Sequence, residues 1–346
     1  MTNSMAPIPL GDVVILSQGL AINAKTKHLL SDEGIPLLRI TDLINGSFSQ
    51  FVTKDLAPEK CLVESGEIVY TRTGQVGLVF NKFSGVAHNN CFKVIPDESI
   101  LDRNFLYWFL RQPHIREYAN SIASGSVQKD LNHTSFKSIE ILIPERNHQR
   151  QVSALLDIIE RKIELNQKMN QTLEEIAKAI FKSWFVDFDP VRAKAEGRPT
   201  GLPPEISDLF PDELVDSEIG EIPKGWDCKR VEAFADALLG GTPSRKKSNY
   251  WGGKIPWINS GAVNEFRIIE PSEYITQEGF DKSSTKLLPA KTTVIAITGA
   301  TLGQVSYLEI DSCANQSVVG VIPHNNRAYE WTYLTFTEHI DRLISR

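Results

Sequence analysis

The longest regular pattern of apolar and polar positions runs from residue 147 to residue 184. Its positions are separated by alternating steps of four and three residues, the heptad spacing of a long helix that packs against another helix. Neither Pro nor Gly occurs between Glu145 and Asp189, so nothing interrupts this helix. At 1.5 Å per residue it would be roughly 55 Å long. We call the following positions the seam: Val152, Leu156, Ile159, Ile163, Asn166, Asn170, Leu173, Ala177, Ile180 and Trp184.

Two asparagines, Asn166 and Asn170, interrupt the apolar seam. A buried Asn costs stability but fixes register, because only one alignment lets the amides pair. The helix ends in the segment 181–190, which has four aromatic residues and a proline and indicates attachment to another surface. We therefore predict a spacer helix with a domain at each end. The alternative interpretation is a buried helix within one large domain.

The region before the helix has the pattern of a mixed domain. Short runs rich in β-branched residues, separated by turn residues, predict strands. The predicted elements are strands at Val13–Leu16, Leu37–Ile40, Glu67–Tyr70 and Phe92–Ile95, a helix at Asn104–Ala119, a polar loop at 121–132, and a last strand at Ile139–Ile143.

A second strand-rich region begins near residue 222 and repeats the first. The matching landmarks, in order, are Ile8-Pro9 with Ile222-Pro223, Ile35-Pro36 with Ile255-Pro256, Thr73-Gly74 with Thr298-Gly299, Gly77 with Gly303, Asn89 with Asn315, Val94-Ile95-Pro96 with Val321-Ile322-Pro323, and His114-Ile115 with His339-Ile340. By the offset of Thr73 to Thr298, Arg346 matches residue 121. We therefore expect a second repeat that lacks the polar loop, the last strand and a second long helix.

The predicted fold class is α+β, with two repeated mixed α/β domains separated by a long coiled-coil helix and with a second repeat that is incomplete at its C-terminal end. The predicted boundaries are a first domain at 1–145, the spacer helix at 146–190, an acidic linker rich in Pro and Gly at 191–221, and a second domain at 222–346.

The charge pattern leaves nucleic-acid binding open. The net charge is −6, but seven acidic residues and no basic ones lie between Pro199 and Pro223, so removing those seven negative charges leaves +1. Residues 68–96 and 237–264 contain basic residues and no acidic ones. Local fields of this kind matter more for steering a charged partner than the total charge does.

Composition indicates a soluble protein. The chain has 346 residues, of which 41% are hydrophobic and 23% are charged. No stretch is long and apolar enough for a membrane, and residues 1–9 lack the pattern of a signal peptide, so we expect a cytoplasmic protein. The cysteines are widely scattered, which favours reduced thiols over disulfides or a zinc site.

Catalytic patterns fail on spacing. The stretch Gly241–Ser248 resembles a phosphate-binding loop, but Lys246 stands where the second Gly is needed. The seven His are dispersed, and no cofactor-binding Gly pattern follows a strand. We expect no catalytic residue, no cofactor and no metal site in this chain.

Three Gly-containing loops, 73–77, 124–129 and 298–303, suit recognition instead. Their side chains can read base edges, with Arg to guanine and Gln or Asn to adenine, and nearby Lys can hold phosphates. Simple β-turns are the alternative interpretation. The candidate DNA-binding residues are Lys25, Lys27, Arg72, Thr73, Gly74, Gln75, Ser126, Gln128, Lys129, Arg245, Lys246, Lys247, Asn249, Tyr250, Thr298 and Thr301.

Three further stretches carry a family resemblance: 181–190 (FKSWFVDFDP), 222–226 (IPKGW), and 239–244 (LGGTPS) followed by 250–257 (YWGGKIPW). Together with the repeat and the spacer helix, they resemble the DNA specificity subunit of type I restriction–modification systems. The resemblance implies two target-recognition domains, each reading half of a bipartite double-stranded DNA sequence. It also implies that the helix sets the spacing between half-sites and docks modification (methyltransferase) subunits, which restriction subunits join.

The resemblance implies that the methyl donor and ATP are bound by those partner subunits, so this chain would not be an enzyme. The family usually carries a second spacer helix, and its absence from this sequence favours a fragment or a homodimer through the seam. Two alternatives remain open: an enzyme on nucleic acid, such as a methyltransferase or nuclease with an unrecognised site, or a coiled-coil scaffold that binds proteins.

Overall fold

The computed structural model describes residues 6–126, 128–325 and 328–345. The chain divides into a first unit, residues 1–168, and a second unit, residues 169–346. Each unit is built from short strands and a few helices around its own apolar core.

The strands of the first unit are β1 (Ile8–Pro9), β2 (Val14–Gln18), β3 (Leu30–Ser31), β4 (Ile35–Leu38), β5 (Phe51–Val52), β6 (Leu62–Val63), β7 (Ile68–Thr71), β8 (Val79–Phe80), β9 (Gly85–Ala87), β10 (Cys91–Pro96) and β11 (Glu140–Ile141). Its helices are α1 (Ile40–Asn45), α2 (Arg103–Leu110), α3 (Pro113–Ile122) and α4 (His133–Lys137), with 3-10 turns at Leu10–Asp12, Lys27–Leu29, Lys54–Leu56 and Glu59–Cys61. One sheet has the order β2-β10-β7-β8, a second has the order β3-β5-β4-β9-β6, and β1 pairs with β11.

Local chemistry explains where these elements depart from the sequence prediction. The single helix predicted at Asn104–Ala119 is wrong, because Pro113 has no N–H to donate and holds Gln112 in an extended conformation. The chain therefore forms α2 and α3, and Pro113 opens the second of them. The predicted strand at Leu37–Ile40 ends at Leu38, since Ile40 already begins α1. The last strand is shorter than predicted and pairs with β1.

The long helix is confirmed as α5 (Arg146–Phe185), a single helix of 40 residues. At 1.5 Å per residue it is about 60 Å long. After Phe185 the chain turns: Phe188 adopts a left-handed conformation, and Pro190 lies in the first turn of the next helix. The boundary between the two units falls within α5, after Lys168.

Each half of α5 attaches to its own unit through side chains on one face. In the first unit, Trp108 Nε1 donates to Asp157 at 2.8 Å, and Arg111 pairs with Glu160 at 3.0 Å. In the second unit, Glu174 pairs with Arg267 at 2.8 Å. The residues between these attachments, 165–173, are all exposed.

The strands of the second unit are β12 (Leu214–Ser217), β13 (Gly220–Pro223), β14 (Ala235–Leu239), β15 (Trp251–Ile258), β16 (Arg267–Ile268), β17 (Glu273–Ile275), β18 (Leu287–Leu288), β19 (Thr293–Ala296), β20 (Val305–Leu308), β21 (Ser312–Ala314) and β22 (Val318–Pro323). In addition to the C-terminal half of α5, its helices are α6 (Asp189–Ala195), α7 (Pro204–Ser207), α8 (Gln277–Asp281) and α9 (Tyr329–Ile344). Its 3-10 turns are at Val231–Ala233, Ser248–Tyr250, Ser260–Asn264 and Gly299–Thr301. The sheet orders are β14-β22-β19-β20-β16 and β17-β15-β21-β18, and β12 pairs with β13.

The predicted repeat is confirmed strand by strand. The order β2-β10-β7-β8 returns as β14-β22-β19-β20, and β5-β4-β9-β6 returns as β17-β15-β21-β18. The central parallel pairing of β4 with β9 also returns, as β15 with β21. Registers agree as well: Cys91 faces Thr71 in the first unit, and Val318 faces Ala296 in the second.

One predicted landmark of the repeat, Asn89 with Asn315, is displaced by one residue in the first unit. The Cys91 N–H donates to the carbonyl of His88, as the Val318 N–H donates to the carbonyl of Asn315. His88 is therefore the structural equivalent of Asn315, and the predicted match of Asn89 is wrong. A displacement by one residue cannot be detected from the sequence, because two asparagines follow His88.

The acidic segment 191–221 contains folded structure. It includes α7 and most of the β12–β13 hairpin, and Phe210 is buried against Trp184 and Phe185 at ring distances of 5.6 and 6.5 Å. Trp226 stacks on Phe185 at 5.9 Å. The aromatic end of α5 is thus attached within the second unit. The role of this segment as a linker stays a prediction.

Candidate nucleic-acid interface

Two of the predicted loops meet at one edge of the first unit. Residue 73 follows β7, and the loop 123–132 follows α3. Thr73 bridges to Asp130, and the Gly74 N–H donates to the Lys129 carbonyl at 2.8 Å. Gly74 adopts a φ of 77°, a left-handed conformation that glycine tolerates without strain. The tertiary fold therefore joins residues that are more than fifty positions apart.

Arg72 anchors this pair of loops. Its guanidinium pairs with Asp130 at 2.6 Å and lies 5.3 Å from the centre of the Phe92 ring. The hydroxyl of Thr73 donates to the other oxygen of the same carboxylate at 2.7 Å. Because Arg72 is mostly buried and already paired, its position favours holding the loops over reading a base edge.

The exposed residues of this edge include Gln75, Ser126 and Gln128. Their amide and hydroxyl groups can donate and accept hydrogen bonds. Val127, within the second loop, lies outside the described residues. Lys129 is half-buried and donates from Nζ to the Asn120 carbonyl at 2.7 Å, so its charge lies beside the loop base.

Lys25 and Lys27 lie on a different part of the first unit. Both are exposed, and Lys27 begins the 3-10 turn before β3. The turn is held by Asn23, whose side chain accepts from the Lys25 N–H at 2.9 Å. Two exposed cations on a fixed turn can bind phosphates without reading sequence.

Sequence reasoning missed a polar group next to Arg72. Gln18, at the end of β2, donates to the Asn89 carbonyl at 2.6 Å and lies 3.1 Å from Nε2 of His133. Burial lowers the pKa of His133, and the positive charges of Arg72 and Lys137 lower it further. Burial also lowers the pKa of His88. No local pattern marks these residues, since the fold brings them together from the end of β2, the turn between β9 and β10, and the start of α4.

In the second unit, Arg245 occupies a structural position. It makes a bidentate ion pair with Glu273, both contacts being 2.6 Å, and its guanidinium stacks 3.5 Å from the centre of the Trp251 ring. The pairing raises the pKa of Arg245 and lowers the pKa of Glu273. Planar stacking with a two-point contact is the geometry Arg makes best. Arg245 thus fixes the loop that follows β14.

The neighbouring candidates divide into free and engaged side chains. Lys246 is exposed. Lys247 donates to the hydroxyl of Tyr250 at 2.8 Å, and Asn249 donates to Glu278 at 2.8 Å. Tyr250 is buried, so its ring packs inside the unit.

The third predicted loop lies at the end of β19. Thr298 is exposed, while Thr301 is half-buried at the end of the 3-10 turn Gly299–Thr301. Thr298 follows β19 as Thr73 follows β7, so the two loops occupy equivalent positions in the two units.

The seam of α5 is largely exposed. Ile159, Ile163, Leu173 and Ile180 are each between 44% and 56% exposed, and both seam asparagines are exposed. Leu156 and Trp184, near the ends of the seam, are half-buried. Leu155, Met169 and Ile176 widen the apolar strip on one side. An apolar strip of this length is typical of a protein-binding surface.

The described residues contain neither a metal-binding cluster nor a membrane-spanning helix. No group of three or more His, Cys, Asp or Glu is arranged to hold a metal ion among them. In the same part of the chain, no helix combines the length and the apolar character that crossing a membrane requires.

Comparison with known proteins gives consistent results. The sequence profile of the family described as "Type I restriction modification DNA specificity domain" matches residues 4–175 and 223–345. The HindI type I restriction enzyme specificity subunit of Haemophilus influenzae is 29% identical over 349 residues, covering 86% of this chain and 76% of that protein. The MjaIX specificity subunit of Methanocaldococcus jannaschii is 26% identical over 238 residues, covering 68% of this chain and 51% of its own length.

A solved structure of a type I restriction–modification S subunit from M. genitalium aligns with a TM-score of 0.49 at 15% identity, over 100% of this chain and 80% of its own. The family profile covers both repeats and most of the chain, in the two segments that the fold shows to be equivalent. The chain therefore belongs to the type I restriction–modification DNA specificity family.

Proposed function

We propose that this chain is the non-catalytic subunit that recognises DNA sequence in a type I restriction–modification complex in the cytoplasm. Each unit would bind one half of a bipartite double-stranded DNA target. One observation carries this proposal: the two units share strand order and register but differ at the strand ends. Arg72, His88 and Gln18 in the first unit correspond to Ile297, Asn315 and Leu239 in the second. One scaffold with two sets of side chains suits a target with two unlike halves.

In the first unit, we assign base reading to Gln75, Ser126 and Gln128, which are exposed polar residues of the paired loops. Gln can make a two-point contact with adenine, and Ser contacts several bases. Arg72 would position these loops through Asp130 without touching a base. In the second unit, we assign DNA contact to Thr298 and Lys246, which are both exposed, with Lys246 on phosphate.

The middle of α5 would set the distance between the two half-sites. Residues 165–173 are exposed on every side, so they can be lengthened without disturbing the attachments at Glu160 and Glu174. Duplicating residues 162–168 adds seven residues, which is about 10 Å of helix. Since one base pair rises 3.4 Å, the spacer in the DNA target should grow by about three base pairs.

The test is to determine which DNA sequence is methylated in cells that carry the lengthened chain with its partner subunits. Unchanged half-sites with a longer spacer support the proposal. A length-neutral variant, Lys168→Ala, serves as the control and should keep the original spacer. An unchanged spacer, or half-sites with new bases, would refute the role of α5.

The exposed seam supports a second part of the proposal, which concerns partners. Modification subunits, and restriction subunits after them, would dock along the helix and the neighbouring surfaces. The seam also suits a second copy of the chain in antiparallel orientation. With a two-fold axis at Lys168, Asn166 of one copy lies opposite Asn170 of the other, and Ile163 lies opposite Leu173. Each buried amide thus meets another amide, which is the requirement for placing Asn in a seam.

Cysteine crosslinking distinguishes these arrangements. We expect Ile163→Cys protein to crosslink with Leu173→Cys protein when the two are mixed, and neither variant to crosslink with itself. Self-crosslinking of Ile163→Cys alone would mean parallel pairing. No crosslinking in either case would leave the seam to the modification subunits and would refute the homodimer.

A further inference from the structure

The turns that follow β9 and β21 are closed by the same hydrogen bond, made by different side chains. In the first unit, Nδ1 of His88 accepts from the Asn90 N–H at 3.4 Å. In the second unit, Oδ1 of Asn315 accepts from the Ser317 N–H at 3.1 Å. His88 and Asn315 are equivalent positions, and in both turns the donor is the backbone N–H two residues later. An imidazole and a carboxamide can both close this turn, because each supplies one acceptor atom.

The shared bond fixes which atom of each side chain remains available. A backbone N–H can only donate, so the Asn315 atom that faces it is the oxygen, and the amide nitrogen Nδ2 lies on the other side of the carboxamide. By the same reasoning, Nδ1 of His88 carries no proton, and the proton of the neutral ring is on Nε2. Burial lowers the pKa of His88, and the charge of Arg39 lowers it further, so the ring is neutral at neutral pH. Each side chain therefore keeps an N–H donor opposite its turn bond.

Both donors reach the protein surface. Within the described residues, neither Nε2 of His88 nor Nδ2 of Asn315 has a hydrogen-bond partner, and neither is among the buried polar atoms without one. Both side chains are half-buried, so each is held by its surroundings and its turn bond while its donor meets solvent. A donor held in this way loses little conformational entropy when a ligand binds it.

Close backbone contacts hold the two turns in the same place. A Cβ on Gly19, just after β2, would collide with the His88 carbonyl oxygen, and a Cβ on Gly240, just after β14, would collide with the Asn315 carbonyl oxygen. Glycine is required at both positions because the backbones approach so closely. The backbone that the two units share therefore sets the position of each donor.

The turns lie directly beside the candidate loops. The Arg72 N–H donates to the Asn90 carbonyl at 2.8 Å, and the Ile297 N–H donates to the Ser317 carbonyl at 2.9 Å. Each of these N–H groups belongs to the residue that immediately precedes a candidate loop. The donor of each unit thus lies at the edge that the proposed function assigns to DNA.

We propose that His88 and Asn315 are specificity-determining residues, each donating a hydrogen bond to an acceptor on a base edge of its own half-site. This inference rests on the proposed recognition of DNA. In the major groove, the acceptors are N7 and O6 of guanine, N7 of adenine and O4 of thymine, whereas cytosine presents a donor. One position of each half-site therefore favours a base with an acceptor and disfavours cytosine.

Asn315→Asp tests the donor separately from the turn. Asp keeps an oxygen for the Ser317 N–H, but it has no N–H to donate and instead accepts from N4 of cytosine. The probe is a double-stranded DNA library with randomised positions, bound by the assembled complex with native or variant chain. We expect the preference at one position of one half-site to change from an acceptor base to cytosine by about tenfold, and the other half-site to stay unchanged. His88→Asp should have the same effect in the other half-site.

Asn315→His is the matched control, because it introduces the residue of the first unit, which has both the acceptor and the donor. It should continue to disfavour cytosine. The proposal is overturned if Asn315→Asp and His88→Asp keep the native preference at every position, or if they weaken binding to all sequences equally, which would leave the two residues a role in the turn alone. A native complex with no base preference would instead refute the recognition function itself, so the two failures are distinguishable.

Discussion

Replacing Gln149 with Leu tests how the long helix is attached to the first unit. Gln149 is 1% exposed and makes three hydrogen bonds: its Oε1 accepts from the Asp102 N–H at 2.7 Å, and its Nε2 donates to the carbonyls of Ile100 and Pro144 at 3.0 and 2.8 Å. Leu has a similar volume but no polar group. The substitution leaves one N–H and two carbonyls without this partner. At the lower limit of about 1 kcal/mol for each buried unpaired group, the expected loss is about 3 kcal/mol.

The loss should appear in the first unit specifically. Trp108 is the single tryptophan before residue 184, and the other five lie in the second unit. With fluorotryptophan incorporated, ¹⁹F resonances follow both units through one urea titration. At roughly 2 kcal/mol per molar of urea, the midpoint reported by Trp108 should fall by about 1.5 M.

Gln151→Leu is the matched control, since it makes the same chemical change on the same helix at an exposed position. We expect its midpoint to stay within about 0.3 M of the native value, in line with surface substitutions. If Gln149→Leu behaves like Gln151→Leu, the buried polar contacts do not hold the helix and the reasoning fails.

Three other predictions concern the interface, pH and the seam. Gln75→Ala should reduce the preference for the favoured base at one target position by about 1–3 kcal/mol, whereas Arg72→Ala should weaken binding to all sequences. Binding of the assembled complex to DNA arrays measures both effects. The pKa of His88 is lowered in the folded state, so the unfolded chain takes up the proton first and stability falls as pH drops below about 6.5. His88→Asn, the residue used at the equivalent position of the second unit, should reduce this slope in urea unfolding at pH 5 to 7.5. Replacing Asn166 and Asn170 by Leu should strengthen self-association in sedimentation equilibrium, and an unchanged constant would place both residues outside the contact.

The long helix and the repeat could be read from the sequence because both are recorded in local patterns. Heptad spacing and the absence of Pro and Gly specify a helix whatever it packs against. The observed helix extends the pattern 147–184 by one residue at each end and stops five residues before the predicted boundary at 190. Repeated short motifs in constant order report a duplicated fold for the same reason. The break between α2 and α3 was also available from the sequence, since Pro113 is a local signal.

The roles of the charged candidates were decided by the tertiary structure. Nothing near Arg72 in the sequence indicates Asp130, which lies 58 positions away, and Arg245 gives no sign of Glu273, 28 positions away. Both arginines were predicted as DNA contacts from their charge and from their places in or beside polar loops, and both pair with carboxylates in the fold.

Sequence by itself determined that this protein has a long helix, two related units and polar loops at equivalent strand ends. The tertiary structure decided which side chains are exposed at those loops and which face of the helix is left exposed. The physical reason is the distance along the chain between the residues that interact. Helix and strand periodicity arises between residues a few positions apart, whereas the pairing and burial of a charge depend on groups that only the folded sheet brings together.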